Sequence, residues 1–151
     1  MSKIAVVFWS GTGNTEEMAN AVAEGAKAAG ADVEVFQVDD FNATDMADYN
    51  GFLFGCPAMG DEVLEEDSFE PFFAEAESKL NGVPVGLFGS YGWGGGIWME
   101  NWAERTKEAG AIFVGSVIAE NAPNDAALEE CRKLGEDLGK VVLGENSAKV
   151  V

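Results

Sequence analysis

Lys3-Ile4-Ala5-Val6-Val7-Phe8-Trp9-Ser10-Gly11-Thr12-Gly13-Asn14-Thr15 is the stretch that decides the fold. An unbroken apolar run from Ile4 to Phe8, with no in/out alternation, fits a strand buried on both faces. The run gives way at once to glycines, hydroxyls and an amide, and then to a helical pattern. Two glycines let the backbone turn tightly and point its N–H groups inward. Ser10, Thr12, Asn14 and Thr15 add donors, and the helix start adds a partial positive charge. The stretch reads as a phosphate cradle between a strand and a helix. A nucleoside-triphosphate loop needs Gly-Lys-Ser/Thr, but no lysine or arginine stands between Lys3 and Lys27. A dinucleotide fingerprint needs a third glycine where Glu16 stands. A terminal monophosphate, held by neutral donors, is what remains.

Working outward, apolar runs recur at residues 33–38, 52–54, 83–88 and 111–117. Helical patterns separate them. Met18, Ala19, Val22, Ala23, Ala26 and Ala29 share one face and stop at Gly30. Phe69, Phe72, Phe73 and Ala76 suggest a second helix, and Trp98 to Ala109 a third that ends at Gly110. A last helix starts at Asn124-Asp125 and carries Leu128, Cys131, Leu134, Leu138 and Val141 at helical spacing. Five strands alternating with helices predict an α/β fold with a parallel, doubly wound sheet. Residues 1–144 read as a single domain and 145–151 as a frayed tail.

Composition sets limits on function. Among 151 residues, 27 acids face 9 bases and no histidine, a formal charge of -18. With 47 % hydrophobic residues, that charge belongs to a folded protein rather than a disordered tail. Nucleic acid and anionic membranes are disfavoured as partners. The absence of histidine removes the Ser-His-Asp and Cys-His nucleophile schemes and the commonest metal ligand. Cys56 and Cys131 form neither a disulfide framework nor a CxxC metal site. The N-terminal apolar run is too short to span a membrane and no signal-peptide pattern follows it, so a cytoplasmic setting is expected.

In doubly wound sheets, ligands bind beyond the carboxyl ends of the strands at the switch point. After the third strand comes Pro57-Ala58-Met59-Gly60-Asp61-Glu62. Gly60 tolerates either sign of φ, Met59 offers a soft face to a flat ring, and Glu62 can accept from a ring imide N–H. After the fourth strand comes Ser90-Tyr91-Gly92-Trp93-Gly94-Gly95-Gly96. An indole on a glycine-rich loop is badly placed for a core and well placed to stack on a planar ligand, worth about 0.5–1.5 kcal/mol beyond area burial.

Together these three segments resemble the flavodoxins, specifically the short-chain type of anaerobic bacteria, over the chain to about Leu143. The resemblance implies strand order 2-1-3-4-5 and one non-covalently bound FMN. It implies a low-potential electron carrier, not an enzyme, that takes one electron at a time between the half-reduced and fully reduced states. Ser10, Gly11, Thr12, Gly13, Asn14 and Thr15 would hold the 5′-phosphate. Pro57, Ala58, Met59, Gly60, Asp61 and Glu62 would form the inner-face loop, with Met59 against the ring and Glu62 on N3–H. The Gly60-Asp61 peptide would turn its carbonyl toward the N5–H that reduction creates. Tyr91, Gly92, Trp93 and Gly94 would form the third loop, with Trp93 stacked on the outer face, while Ser90 and Asn121 would contact the ribityl chain. Gly95 departs from the family, because many relatives carry an acid there.

A reductase of quinones or nitro compounds on the same fold would need a substrate pocket and a nicotinamide site. No basic residue near the loops serves one. A phospho-receiver domain needs an acidic cluster after the first strand, where Phe8-Trp9-Ser10 stands, and a lysine after the last, where Ala119-Glu120-Asn121 stands. Asp61, Glu62, Glu65, Glu66, Asp67, Glu70, Glu75 and Glu77 fall in one stretch with no intervening base, which reads as a solvated face able to steer basic redox partners toward a monomeric carrier. One uncompensated charge about 10 Å from the flavin, at an effective dielectric near 20, costs about 1.7 kcal/mol, or roughly 70 mV for one electron. The second couple is therefore expected to lie low.

Overall fold

The computed structural model describes residues 3–11, 13–59, 64–92 and 96–144. The expectations placed on Thr12, on Gly60, Asp61 and Glu62, on Trp93, Gly94 and Gly95, and on residues 145–151 lie outside that set.

Strands β1 (Lys3–Phe8), β2 (Asp32–Gln37), β3 (Gly51–Gly55), β4 (Pro84–Tyr91) and β5 (Ile112–Glu120) form one sheet in the order β2-β1-β3-β4-β5. Every pairing is parallel. Helices α1 (Asn14–Ala28), α2 (Phe69–Ala76), α3 (Ile97–Glu108) and α4 (Asp125–Val142) follow β1, β3, β4 and β5, and short 3-10 turns fill the connection from β2 to β3.

The central strands explain the unbroken apolar runs. In β1, Ala5 and Val7 join the core under α2 and α3, whereas Ile4, Val6 and Phe8 join the core under α1 and α4. Phe52 and Phe54 of β3 go to the first core and Leu53 to the second. The edges behave differently. Val35 of β2 is 39 % exposed, and Ile112 and Ile118 of β5 are 50 % and 37 % exposed, because an edge strand has one flank open to solvent. β4 and β5 also outrun their apolar runs, since pairing continues through Ser90 with Ala119 and Tyr91 with Glu120. Polar residues in a ladder leave no hydrophobic signal.

The two cores differ in texture. The α2/α3 side is aromatic: Phe52 and Phe54 stack at 5.4 Å, and Phe69 and Phe73 meet Trp102 edge-on at 5.4 and 5.7 Å. The α1/α4 side is mostly alanine and aliphatic residues, with Phe8 and Phe88 from the sheet, and its helices touch backbone to backbone. A Cβ on Gly25 would overlap the carbonyl of Arg132, and one on Gly135 would overlap the carbonyl of Val22. Asn124 caps α4 as its residue type predicts, its side chain accepting from the Ala127 N–H at 2.8 Å.

Arg105 of α3 supplies the base that the acidic stretch lacks in sequence. Its guanidinium donates to both carboxylate oxygens of Glu70 at 2.8 and 2.7 Å, and to those of Glu77 at 2.9 and 3.0 Å. It also lies over the Phe73 ring at 4.9 Å. The hydrogen bonds to Glu70, followed by those to Glu77, raise its pKa further above the ordinary arginine value. With the pair about a third exposed, Arg105→Ala is expected to cost about 1–2 kcal/mol, and lysine is not expected to restore it because an ammonium cannot bond two carboxylates in a planar fork. Thermal denaturation checks this as a fall in Tm of roughly 2–8 °C.

Candidate functional site

The site lies at the carboxyl ends of β1, β3 and β4. Trp9 leaves β1 with its N–H on the carbonyl of Gly55 at 3.0 Å, which holds the start of the first loop beside the end of β3. The Ser10 hydroxyl then accepts from the N–H groups of Gly13 and Glu16 at 3.1 and 3.3 Å. Gly13, at φ 98°, is the N-cap of α1 and takes the left-handed conformation that glycine alone adopts without strain. It gives α1 no side-chain cap of its own, and the Ser10 hydroxyl serves the first turn instead by accepting from Glu16. Glu16 and Glu17, also in that turn, point to solvent. The first loop is bonded to the third, because the Thr15 hydroxyl, 1 % exposed, meets the Ser90 hydroxyl at 3.0 Å.

The second loop leaves β3 at Cys56, whose N–H donates to the carbonyl of Phe88. The Cys56 carbonyl accepts from the Trp98 indole N–H at 3.1 Å, and the Ala58 N–H donates to the carbonyl of Ser90 at 3.0 Å. Burial pushes the Cys56 thiol well above its usual range, so it stays protonated and is no nucleophile. Cys131, on the buried face of α4, is pushed up to about 12 by desolvation, with the neighbouring Glu130 carboxylate adding to it. On the third side, the Asn121 N–H donates to the carbonyl of Tyr91 at 2.7 Å. Asn121 has φ 56° and is the one non-glycine residue in the left-handed region among the described residues. Such a conformation marks a turn whose surroundings over-determine it.

These loops enclose a cavity of about 300 Å³. Gly11 and Asn14 line it from the first loop, Pro57, Ala58 and Met59 from the second, and Ser90, Tyr91, Gly92 and Asn121 from the third side. Ser10, Gly13 and Thr15 shape the first loop through the bonds above. Trp9 also lines the cavity, and sequence reasoning passed over it. Its indole lies across Gly11, where a Cβ would approach it to 2.9 Å. The available signal was an aromatic residue at the carboxyl end of the first strand, where a side chain packed on the core also borders the strand ends. A larger open groove of about 590 Å³ between α3 and β5 shares none of these lining residues and is flanked by Glu100 and Glu104. Lys107 also lines it, its Nζ over the Phe113 ring at 5.1 Å, and the groove lies apart from the cavity between the three loops.

Hydroxyls, amides and a helix N-terminus converge on this cavity, and no lysine or arginine is among the described residues that line it. That donor set suits a phosphate monoester beside an uncharged ring system. Fold and site thus define a doubly wound α/β protein that holds a mononucleotide at its topological switch point.

The chain belongs to the flavodoxin family, whose model, described as "Flavodoxin", matches residues 6–135. It is 50 % identical to the flavodoxin of Megasphaera elsdenii over 91 % of this chain and 98 % of that protein. It is 43 % identical to that of Clostridium beijerinckii, over 90 % and 99 % respectively. The solution structure of two-electron reduced Megasphaera elsdenii flavodoxin superposes with a TM-score of 0.84, covering 91 % of this chain and 98 % of that one. The protein is accordingly a low-potential electron-transfer protein that carries one electron at a time on non-covalently bound FMN.

Proposed function

We infer that this chain works as a carrier between redox proteins and not as a reductase in its own right. The cavity between the three loops supports this reading most, since it lies at the strand ends with no cationic group among its described lining residues to receive a nicotinamide dinucleotide. FMN, when bound, supplies reversible one-electron chemistry. The residues that hold it are proposed as follows. Ser10, Gly11, Thr12, Gly13, Asn14 and Thr15 take the phosphate. Pro57 to Glu62 form the inner wall, Ser90 to Gly94 the outer wall, and Asn121 reaches the ribityl side.

Exposed Glu66, Asp67 and Glu75 form no ion pair among the described residues, whereas Glu70 and Glu77 are matched by Arg105. The uncompensated acids next to the second loop favour docking of partners with basic surfaces, at rates that fall as salt rises. Among the described residues, no helix is long and apolar enough to cross a membrane. A single domain over residues 1–144, a monomeric state and a cytoplasmic setting complete the proposal.

Anaerobic spectroscopy of the purified protein is the test. A yellow protein that NADH or NADPH alone fails to bleach within minutes, yet which dithionite reduces in two separate one-electron steps, is the expected result. Its lower midpoint potential is expected to rise with ionic strength as salt screens the acids. Rapid bleaching by a nicotinamide cofactor alone would make the protein a reductase.

A further inference from the structure

One acid in the stretch read as solvated is not solvated. Glu65 is only 6 % exposed. Its carboxylate accepts from three backbone N–H groups, those of Asp67 at 2.9 Å and of Ser68 and Phe69 at 2.8 Å. Its carbonyl accepts from the Glu70 N–H at 2.8 Å. Ser68, the formal N-cap of α2, makes no side-chain cap bond, so Glu65 alone closes the start of that helix with its side chain. Its own N–H runs the opposite way, to the Cys56 sulfur at 3.3 Å, nine residues back. Cys56 is in turn fixed to β4 through the Phe88 carbonyl and to α3 through the Trp98 indole. One side chain and one N–H thus fasten α2 to the base of the segment that begins with Pro57, Ala58 and Met59, the inner wall of the cavity.

We propose that Glu65 is a positioning residue for the flavin, setting the place of the Pro57–Met59 wall through Cys56 while its carboxylate anchors α2. The bond to Cys56 comes from the backbone N–H, so the carboxylate acts on the wall by fixing where that N–H sits. Glu65 thus touches both α2 and the residue from which the cavity wall springs, so a shift in one is transmitted to the other. Burial also gives the arrangement a direction, because removing the carboxylate leaves the buried Phe69 N–H without a partner, while the part-buried donors of Asp67 and Ser68 face solvent.

The proposal rests on FMN being the ligand, and the wild-type protein tests that first: if apoprotein fails to quench FMN fluorescence on titration, the cofactor reading fails and this inference with it. With wild-type binding in hand, Glu65→Ala and Cys56→Ala are expected to raise the FMN dissociation constant, tenfold or more for Glu65→Ala, and to change the separation of the two midpoint potentials. Glu65→Gln is expected to fall between, since one amide oxygen keeps two of the three N–H bonds. It also carries the test alone should the alanine variant not fold. Glu66→Gln, the same charge change one residue away at the surface, is expected to leave the constant within twofold. If the folded Glu65 variants melt at lower temperature as apoproteins but bind FMN within twofold of wild type with both potentials unmoved, Glu65 is a helix cap only and the proposal is overturned.

Discussion

Gly135→Ala is expected to cost about 3 kcal/mol or more and to lower the melting temperature by roughly 6–12 °C, measured on the apoprotein by thermal or denaturant unfolding. The added methyl group has no flexible side chain to push aside. It meets the backbone carbonyl of Val22 in α1, and α1 is pressed against the sheet by Met18, Ala19, Val22, Ala23 and Ala26. To admit the methyl, α1 and α4 must separate along their whole contact, and close packing on both helices is lost together. Gly25→Ala is expected to act alike, through the carbonyl of Arg132. The double variant should fall well short of the sum, because helices that have already parted admit the second methyl cheaply. A loss below about 1 kcal/mol in either single variant would show that the helix pair yields easily and that the short approach is incidental.

The second large effect concerns the ligand. The Ser10 oxygen accepts from two backbone N–H groups, which occupies its acceptor capacity and leaves its own proton free only to donate outward. Thr15 and Ser90 share one proton between them and keep the other for a third group. Hydrogen bonds to a charged acceptor are worth about 1.5–3 kcal/mol, so Ser10→Ala and Thr15→Val should each weaken FMN binding roughly 10- to 150-fold. Riboflavin has the same ring and side chain without the phosphate, and its affinity should change less than threefold. Titrating apoprotein with both flavins separates the roles. An equal loss for the two would mean that these hydroxyls shape the turn and do not meet the phosphate.

The sequence was most legible where burial is uniform. β1, β3 and β4 are apolar on both faces because helices cover both, and a run such as Ile4 to Phe8 admits no other local solution. The turn from β1 into α1 was readable as well, because a glycine at position 13 can take the left-handed conformation that starts the helix. What escaped depends on contacts distant in sequence. Arg105 lies 28 residues from Glu77, so a stretch read as lacking any base is half-answered from another helix. Glu65 sits among exposed acids and differs from them only because the chain folds back onto Cys56. Trp9 was passed over because an aromatic next to a strand is ordinarily core; it does pack against the α2/α3 core, and it borders the cavity as well.

β2 and β5 leave both rims of the sheet unpaired, with Val35, Ile112 and Ile118 exposed along them. Such rims invite lateral stacking of one molecule on another. Near neutral pH a net charge of -18 keeps molecules apart, so the surplus of acid also protects colloidal stability. Acidification removes that repulsion while the rims stay open. Turbidity should therefore appear on mild acidification before the fold itself is lost, and should clear on prompt return to neutral pH.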